Sequence, residues 1–281
     1  MWDDEREVLW FVDIDAPALF SFNPASGELL RFDMPSPIGC VGLTHDGRLI
    51  TGLKSGVHLF DPLTGELQLL VNPEADRPDN RLNDGKVGPD GCFWVGSMDQ
   101  NSVNSTGALY RVTPDGQATR VLDNLFVSNG LAWSPDQRTL YHTDGTSSAI
   151  NAYDFINAYD FDPVSGELSN QRVLTTLDYE QTGWPDGGAM DSAGNYWSAG
   201  IYRGLINQIA PNGELLRSLR MPVQGTTMAC FGGNDGRTLF ITSLTVEVDD
   251  QEQAGTLLSC ELDIHGTPAF KFGQPASGAS H

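Results

Sequence analysis

One pattern constrains this 281-residue chain more than any other: an acidic turn followed by a short apolar strand, occurring six times. It reads DDEREVLWFVDI around Leu9, HDGRLITGL around Leu49 and PDGCFWVGSM around Phe93. It returns as PDQRTLYHTD around Leu140, SAGNYWSAG around Tyr196 and NDGRTLFITSL around Leu239. Successive anchors lie between 40 and 56 residues apart. Each copy leads into a hairpin, as in ALFSFNPASGELLRF, GVHLFDPLTGELQLL and LINQIAPNGELLRSL. Four strands in about 45 residues is the size of a propeller blade. The pattern therefore predicts an all-β chain: one domain over residues 1–281, folded as a six-bladed β-propeller of four-stranded antiparallel blades. The last blade is expected to be incomplete.

The stretch INAYDFINAYDF repeats six residues, Ile150–Phe155 and Ile156–Phe161. The second copy leads into DFDPVSGEL, which matches the DPLTGEL hairpin of the second repeat. The first copy is thus the excess. Strand side chains alternate with period two, so an even insertion keeps every later residue on its face. The expectation is a tolerated duplication that loops out or lengthens a hairpin.

Charge excludes some partners. Asp and Glu number 37 against 16 Lys and Arg, a net charge of -21. Such a field repels phosphate backbones, so nucleic acid is not an expected partner. No window approaches 18 apolar residues, and MWDDEREVLWFVDID has no signal-peptide layout, so neither membrane nor export is expected and the cytoplasm is the default. Cys40, Cys92, Cys230 and Cys260 lack CxxC spacing and read as reduced thiols, mostly core.

Three repeats carry a polar residue directly before a glycine at the head of the presumed innermost strand. These are Asp84 in RLNDGKVGPDG, Asn129 in VSNGLAWSPDQ and Asp186 in GWPDGGAMDSAGN. Inner strands of a propeller line one channel, so the three converge. Each alone is also a common turn former. Together, two carboxylates and an amide oxygen suit a hard divalent cation. The five histidines share no ligand-like spacing, and no GxSxG, P-loop or GxGxxG is present. No Ser-His pair is expected.

At these residues the chain resembles the regucalcin/gluconolactonase family of six-bladed propellers. The matching stretches are WDDEREVLWFVDI, RLNDGKVGPDGCFWVGSM, VSNGLAWSPDQRTLYHTD, GWPDGGAMDSAGNYWSAG and TTMACFGGNDGRTLFITS, which span nearly the whole chain. The resemblance implies a lactonase with one divalent metal in the channel, calcium foremost, with magnesium, manganese or zinc as alternatives. It implies Asn129 and Asp186 as metal ligands, Arg81 and Asn83 as substrate contacts, and Asp84 beside them. Asp99 and Asn101 are weaker substrate-binding candidates. The expected partner is a small-molecule sugar lactone, and the expected state a monomer or homodimer.

One departure bears on the metal. The family pattern opens Glu-Gly-Pro-x-Trp, and its glutamate is a ligand; here the sequence opens Met1-Trp2. The resemblance then implies a site one carboxylate short, weak metal binding and slow turnover. Asp186 is the expected general base beside a metal-activated water. The rivals are another hydrolase on the same scaffold, for organophosphates or aryl esters, and a non-catalytic calcium-binding propeller.

Overall fold

The computed structural model describes residues 1–145, 153–246 and 255–273. Nearly all regular structure is strand, and the one helix among the described residues is the single turn α1 (Tyr179–Thr182). The repeats become sheets in chain order. The first holds β1 (Trp2–Asp3), β2 (Val8–Asp13), β3 (Ala18–Asn23) and β4 (Glu28–Asp33). The second holds β5 (Ile38–Thr44), β6 (Leu49–Leu53), β7 (Gly56–Phe60) and β8 (Leu67–Val71). Next come β9 (Asn80–Val87), β10 (Phe93–Asp99), β11 (Gly107–Val112) and β12 (Ala118–Leu125). They share an eight-stranded sheet with β13 (Val127–Trp133), β14 (Thr139–Gly145), β15 (Tyr153–Phe161) and β16 (Leu168–Asp178). Then follow β17 (Trp184–Met190), β18 (Tyr196–Ile201), β19 (Leu205–Ile209) and β20 (Leu215–Arg220). The last sheet has three described strands, β21 (Thr226–Gly232), β22 (Thr238–Ser243) and β23 (Leu258–Glu261). The arrangement is propeller-like.

The repeats thus form five hydrogen-bonded sheets where the spacing predicts six. The reason is local. Strand β11 pairs only with Phe93 to Gly96 of β10, which leaves the end of β10 open on that edge. Met98 there pairs with Val127 of β13, and this one contact joins two four-stranded halves.

Burial explains the sequence pattern. The second strand of a repeat is covered on both faces, so β10 reads as the continuous apolar run FWVGSM, buried throughout. Outer strands β4 and β20 are mostly exposed and carry the charges. Apolar clusters fill the space between successive repeats: Trp10 with Leu49, Ile50 with Phe93, Trp94 with Trp133, Tyr141 with Tyr196, and Trp197 with Phe231. A further cluster joins Trp2 and Leu9 of the first sheet to Phe240 of the last, with Trp2 and Phe240 stacked at 5.7 Å.

The acidic turns are structural as well as solvated. Buried Asp191 accepts the Trp197 indole N–H at 2.9 Å, the Gln208 amide at 3.0 Å and the backbone N–H of Asn195 at 2.9 Å. Asp3 likewise accepts from Trp10, and Asp90 from Trp94. A turn acid therefore pins the aromatic strand that follows it, which is why the two recur together.

The second INAYDF copy is the regular strand: Ile156 to Asp160 pair with β14. The described part of the first copy lengthens the hairpin, since Tyr153 to Phe155 pair with Asp178 to Thr176 of β16. Residues 150–152 lie outside the described residues.

The end of the described chain does not complete the last sheet. It runs past the C-terminal ends of several inner strands as a strap. Ser192 N–H donates to His265 O at 2.9 Å, Thr267 N–H to Met190 O at 3.0 Å, and Gly273 N–H to Gly91 O at 2.9 Å. It ends as β24 (Lys271–Phe272), parallel to β5 of the second sheet. No helix of the described residues is long and apolar enough to cross a membrane.

Candidate functional site in the central channel

A cavity of about 1380 Å³ is lined by the inner strands of all the repeats. Its chemistry follows from a recurring irregularity. Strands β5, β9, β13, β17 and β21 each slip register against their partner near the N-terminal half. In β9, Gly85 pairs with Val95 and Leu82 with Ser97, so Asn83 and Asp84 together face the single residue Gly96. Such a bulge re-aims side chains. Arg81, Asn83, Asp84 and Lys86 all line the cavity, while Leu82 packs in the core between sheets.

Asn129 stands on β13 and Asp186 on β17, at the same bulge level. Gly130 follows Asn129 at φ +70, and a Cβ there would lie 2.4 Å from the Tyr196 hydroxyl. The hydroxyl instead donates to Gly130 O at 2.8 Å, so the backbone turn that aims Asn129 requires glycine.

The polar groups form a relay. Arg81 Nη1 donates to Asn83 Oδ1 at 2.6 Å, and Asn83 Nδ2 donates to Asn129 Oδ1 at 2.7 Å and to Ser128 O at 3.0 Å. Asp84 Oδ2 accepts the Leu131 N–H at 3.0 Å. Lys86 Nζ donates to Gly188 O at 2.7 Å, tying β9 to β17. The Asp186 carboxylate lines the cavity and accepts no hydrogen bond among the described residues.

Electrostatics set these groups against one another. Burial raises the Asp84 carboxyl, opposed by the Lys86 ammonium and by backbone N–H groups. Asp186 is pushed up to about 8 by burial and by the neighbouring Asp84 carboxylate, with Arg81 pulling it down. Burial lowers Lys86, opposed by Asp84. Among the described residues no three His, Cys, Asp or Glu side chains cluster as a metal site. The oxygen donors that do converge on the cavity are the Asp84 and Asp186 carboxylates and the Asn129 amide. That donor set fits a hard divalent cation, which would offset the burial and the repulsion that hold Asp186 toward its neutral form.

Arg81, Asn83, Asp84, Asn129 and Asp186 are thus brought together. Asp99 and Asn101 are not; neither lines the cavity. The Asp99 carboxylate accepts from Asn101 N–H and Asn104 N–H, each at 2.9 Å, and holds its own loop. Lys86 lies two residues beyond Asp84 on the same strand, outside the polar-Gly pattern that marks the other site residues. The expected absence of a Ser-His pair is corrected: Ser128 Oγ and His142 Nε2 are 2.8 Å apart. Both are fully buried and neither lines the cavity, so the pair is no accessible nucleophile. Burial depresses His142 to about 4. The pair backs Asn129 by fixing the residue before it.

Residues 1–245 match the family model described as the SMP-30/Gluconolactonase/LRE-like region. The chain is 36% identical over 273 residues to a 6-deoxy-6-sulfogluconolactonase of Pseudomonas putida, covering 95% of this chain and 91% of that one. It is 30% identical to a regucalcin of Xenopus laevis, covering 89% and 83%. Among solved structures it is similar to a calcium-binding regucalcin of Agrobacterium tumefaciens, with TM-score 0.86, 25% identity and coverage of 97% and 91%. It also matches a luciferin-regenerating enzyme at TM-score 0.87 and 26% identity, covering 97% and 94%. The chain belongs to the SMP-30/gluconolactonase/LRE-like family.

Proposed function

We propose that this chain is a metal-dependent lactonase that hydrolyses a sugar lactone in the central channel of a single-domain, six-bladed propeller. The six-blade reading divides the eight-stranded sheet at its one Met98–Val127 contact. The six inter-repeat clusters, the last joining Phe240 to Trp2, support it.

The observation that carries the activity is the convergence of two carboxylates, an amide and an arginine on one cavity. Asn129 and Asp186 would hold the divalent ion. Calcium is the favoured ion, because a structural relative is described as calcium-binding and the donors are all oxygen. When bound, the ion supplies Lewis acidity toward the carbonyl and lowers the pKa of water. The chain's own residues do the rest. Arg81 and Asn83, rigidly coupled through their hydrogen bond, orient the lactone by its hydroxyl and carbonyl oxygens. Asp186 accepts the proton of the attacking water. The water oxygen bonds to the carbonyl carbon, the ring C–O bond breaks, and the departing ring oxygen takes the proton held on Asp186 to give the open hydroxy acid. Asp84, whose Oδ2 accepts the Leu131 N–H, places a second carboxyl beside Asp186.

The test is a lactone panel assayed after chelation and after adding back Ca²⁺, Mg²⁺, Mn²⁺ or Zn²⁺. The expected result is hydrolysis of a five- or six-membered sugar lactone that vanishes on chelation and returns with one ion. Hydrolysis indifferent to chelation would overturn the metal-dependent reading, and aryl-ester or organophosphate turnover without lactone turnover would replace the substrate class.

A further inference from the structure

Two residues before Asp186, the cavity wall carries a group that none of the steps above uses. Trp184 opens β17, and both residues line the cavity. At the rise of a strand they stand about 7 Å apart along the wall. The indole is held from behind. Tyr179 of α1 stacks on it with ring centroids 4.8 Å apart, and the Arg203 guanidinium lies 4.5 Å from the centre of the Tyr179 ring. Arg203 is itself paired with Glu180.

The backbone is built to keep this stack in place. Asp178 caps α1 by accepting the Glu180 N–H at 2.9 Å, and Asn207 Nδ2 donates to Thr182 O at 2.8 Å. Thr182 O comes so near Gly200 that a Cβ there would lie 1.9 Å from it, so only glycine admits the approach. Across the strand pair, Trp184 is in register with Ile201, and the next residue is Tyr202. Tyr202 sits at φ +66, a conformation unfavourable for an aromatic side chain. The residue is 46% exposed and lines the same cavity. A strained, solvent-facing aromatic is costly to the fold, and strain of this kind collects at binding sites.

We infer that Trp184 and Tyr202 form an aromatic platform for the carbon face of the sugar lactone ring. This rests on the lactonase reading for the identity of the sugar. The C–H groups on one face of a sugar ring carry partial positive charge, and the faces of indole and phenol rings carry partial negative charge. A ring laid on the platform presents its carbonyl toward Asp186 and its hydroxyl edge toward Arg81. Binding energy gained at the non-reacting carbons then orients the ester. The bracing of Trp184 by Tyr179 and Arg203 reduces the ordering cost of binding.

The test uses two probes. D-glucono-1,5-lactone reports hydrolysis. 1,5-Anhydro-D-glucitol, the same ring without the carbonyl, reports binding by calorimetry and cannot be hydrolysed. Tyr202→Gly removes the ring and the strain together. It is expected to raise KM about five-fold while changing kcat less than about two-fold, with an unchanged or higher Tm. Tyr202→Phe keeps the ring and should stay within about two-fold of wild type. Trp184→Leu should weaken binding of the anhydro sugar about ten-fold. Folded Tyr202→Gly and Trp184→Leu proteins with unchanged KM and Kd would overturn the platform. Binding of the anhydro sugar that depends on Trp184, with no lactone hydrolysis by wild type, would sustain the platform and defeat the lactonase reading. A wild type that neither binds nor hydrolyses these sugars would defeat both.

Discussion

The two ends of the same inner strands are built on opposite plans. Toward their C-terminal ends, polar groups are satisfied within the protein. Asp191 accepts from an indole, two side-chain amides and turn N–H groups, and the strap from His265 to Gly273 adds backbone hydrogen bonds to the ends of β17 and β5. Toward their N-terminal halves, β5, β9, β13, β17 and β21 bulge, Asp186 has no hydrogen-bond partner among the described residues, two carboxylates repel, and Tyr202, just past β18, is strained. Stability is concentrated at one end of the channel and unspent interaction capacity at the other. Function is expected where local rules are broken and the surrounding structure holds the break in place.

If that division is right, substitutions at the two ends should separate activity from stability. The largest effect belongs to Asp186→Ala, which removes the proposed ligand and base together. Its kcat/KM for a sugar lactone should fall by about 10³-fold or more, while thermal stability without added metal is kept or rises, since a repelled carboxylate is gone. A loss of folding instead would place Asp186 among the structural acids. At the other end, Phe272→Ala empties a buried position where the strap meets β5. It should destabilise the fold by about 3 kcal/mol in a denaturant titration and leave kcat and KM nearly unchanged. An equal loss of activity in the folded fraction would show that the strap also shapes the site.

His142 lies behind Asn129 and tests the boundary between the two plans. Its folded pKa, about 4, is below the ordinary value of 6.5 because burial opposes the charged form. The unfolded chain therefore binds more protons between those values, and stability falls as pH drops from about 6.5 toward 4. The full depression corresponds to about 3 kcal/mol. His142→Gln should flatten this acid limb, read as Tm against pH, with a smaller loss near neutrality. An unchanged acid limb would mean that His142 is reached by water.

Much of this contrast was legible in the sequence, for identifiable reasons. The repeat is visible because each middle strand is buried on both faces and each preceding acid pins an aromatic, as Asp90 does Trp94 and Asp191 does Trp197. Asp84, Asn129 and Asp186 stand out because the bulge that aims each of them needs a following glycine. Lys86 and Trp184 did not stand out. Simple alternation gives no sign that a bulge will put Arg81, Asn83, Asp84 and Lys86 on one wall, and an aromatic before Pro185 reads as core. The Asp99 and Asn101 expectation came from the family resemblance; in the structure Asp99 anchors its own loop. The merging of two sheets through Met98 and Val127, and the strap's pairing with β5, depend on contacts between distant segments that no local pattern carries.

The most direct measurement is a calorimetric titration of Ca²⁺ into chelated wild type and into Asp186→Asn, with sugar-lactone hydrolysis followed in the same samples. Asparagine keeps the shape and an oxygen donor but removes the charge. The expected result is one binding event per chain in wild type, affinity weakened about ten-fold or more in the variant, and hydrolysis that rises with occupancy in wild type and is abolished in the variant. Equal Ca²⁺ affinity in the two proteins, or lactone hydrolysis by chelated wild type at the full rate, would contradict the claim that the bulged end of the channel is a metal-dependent catalytic site.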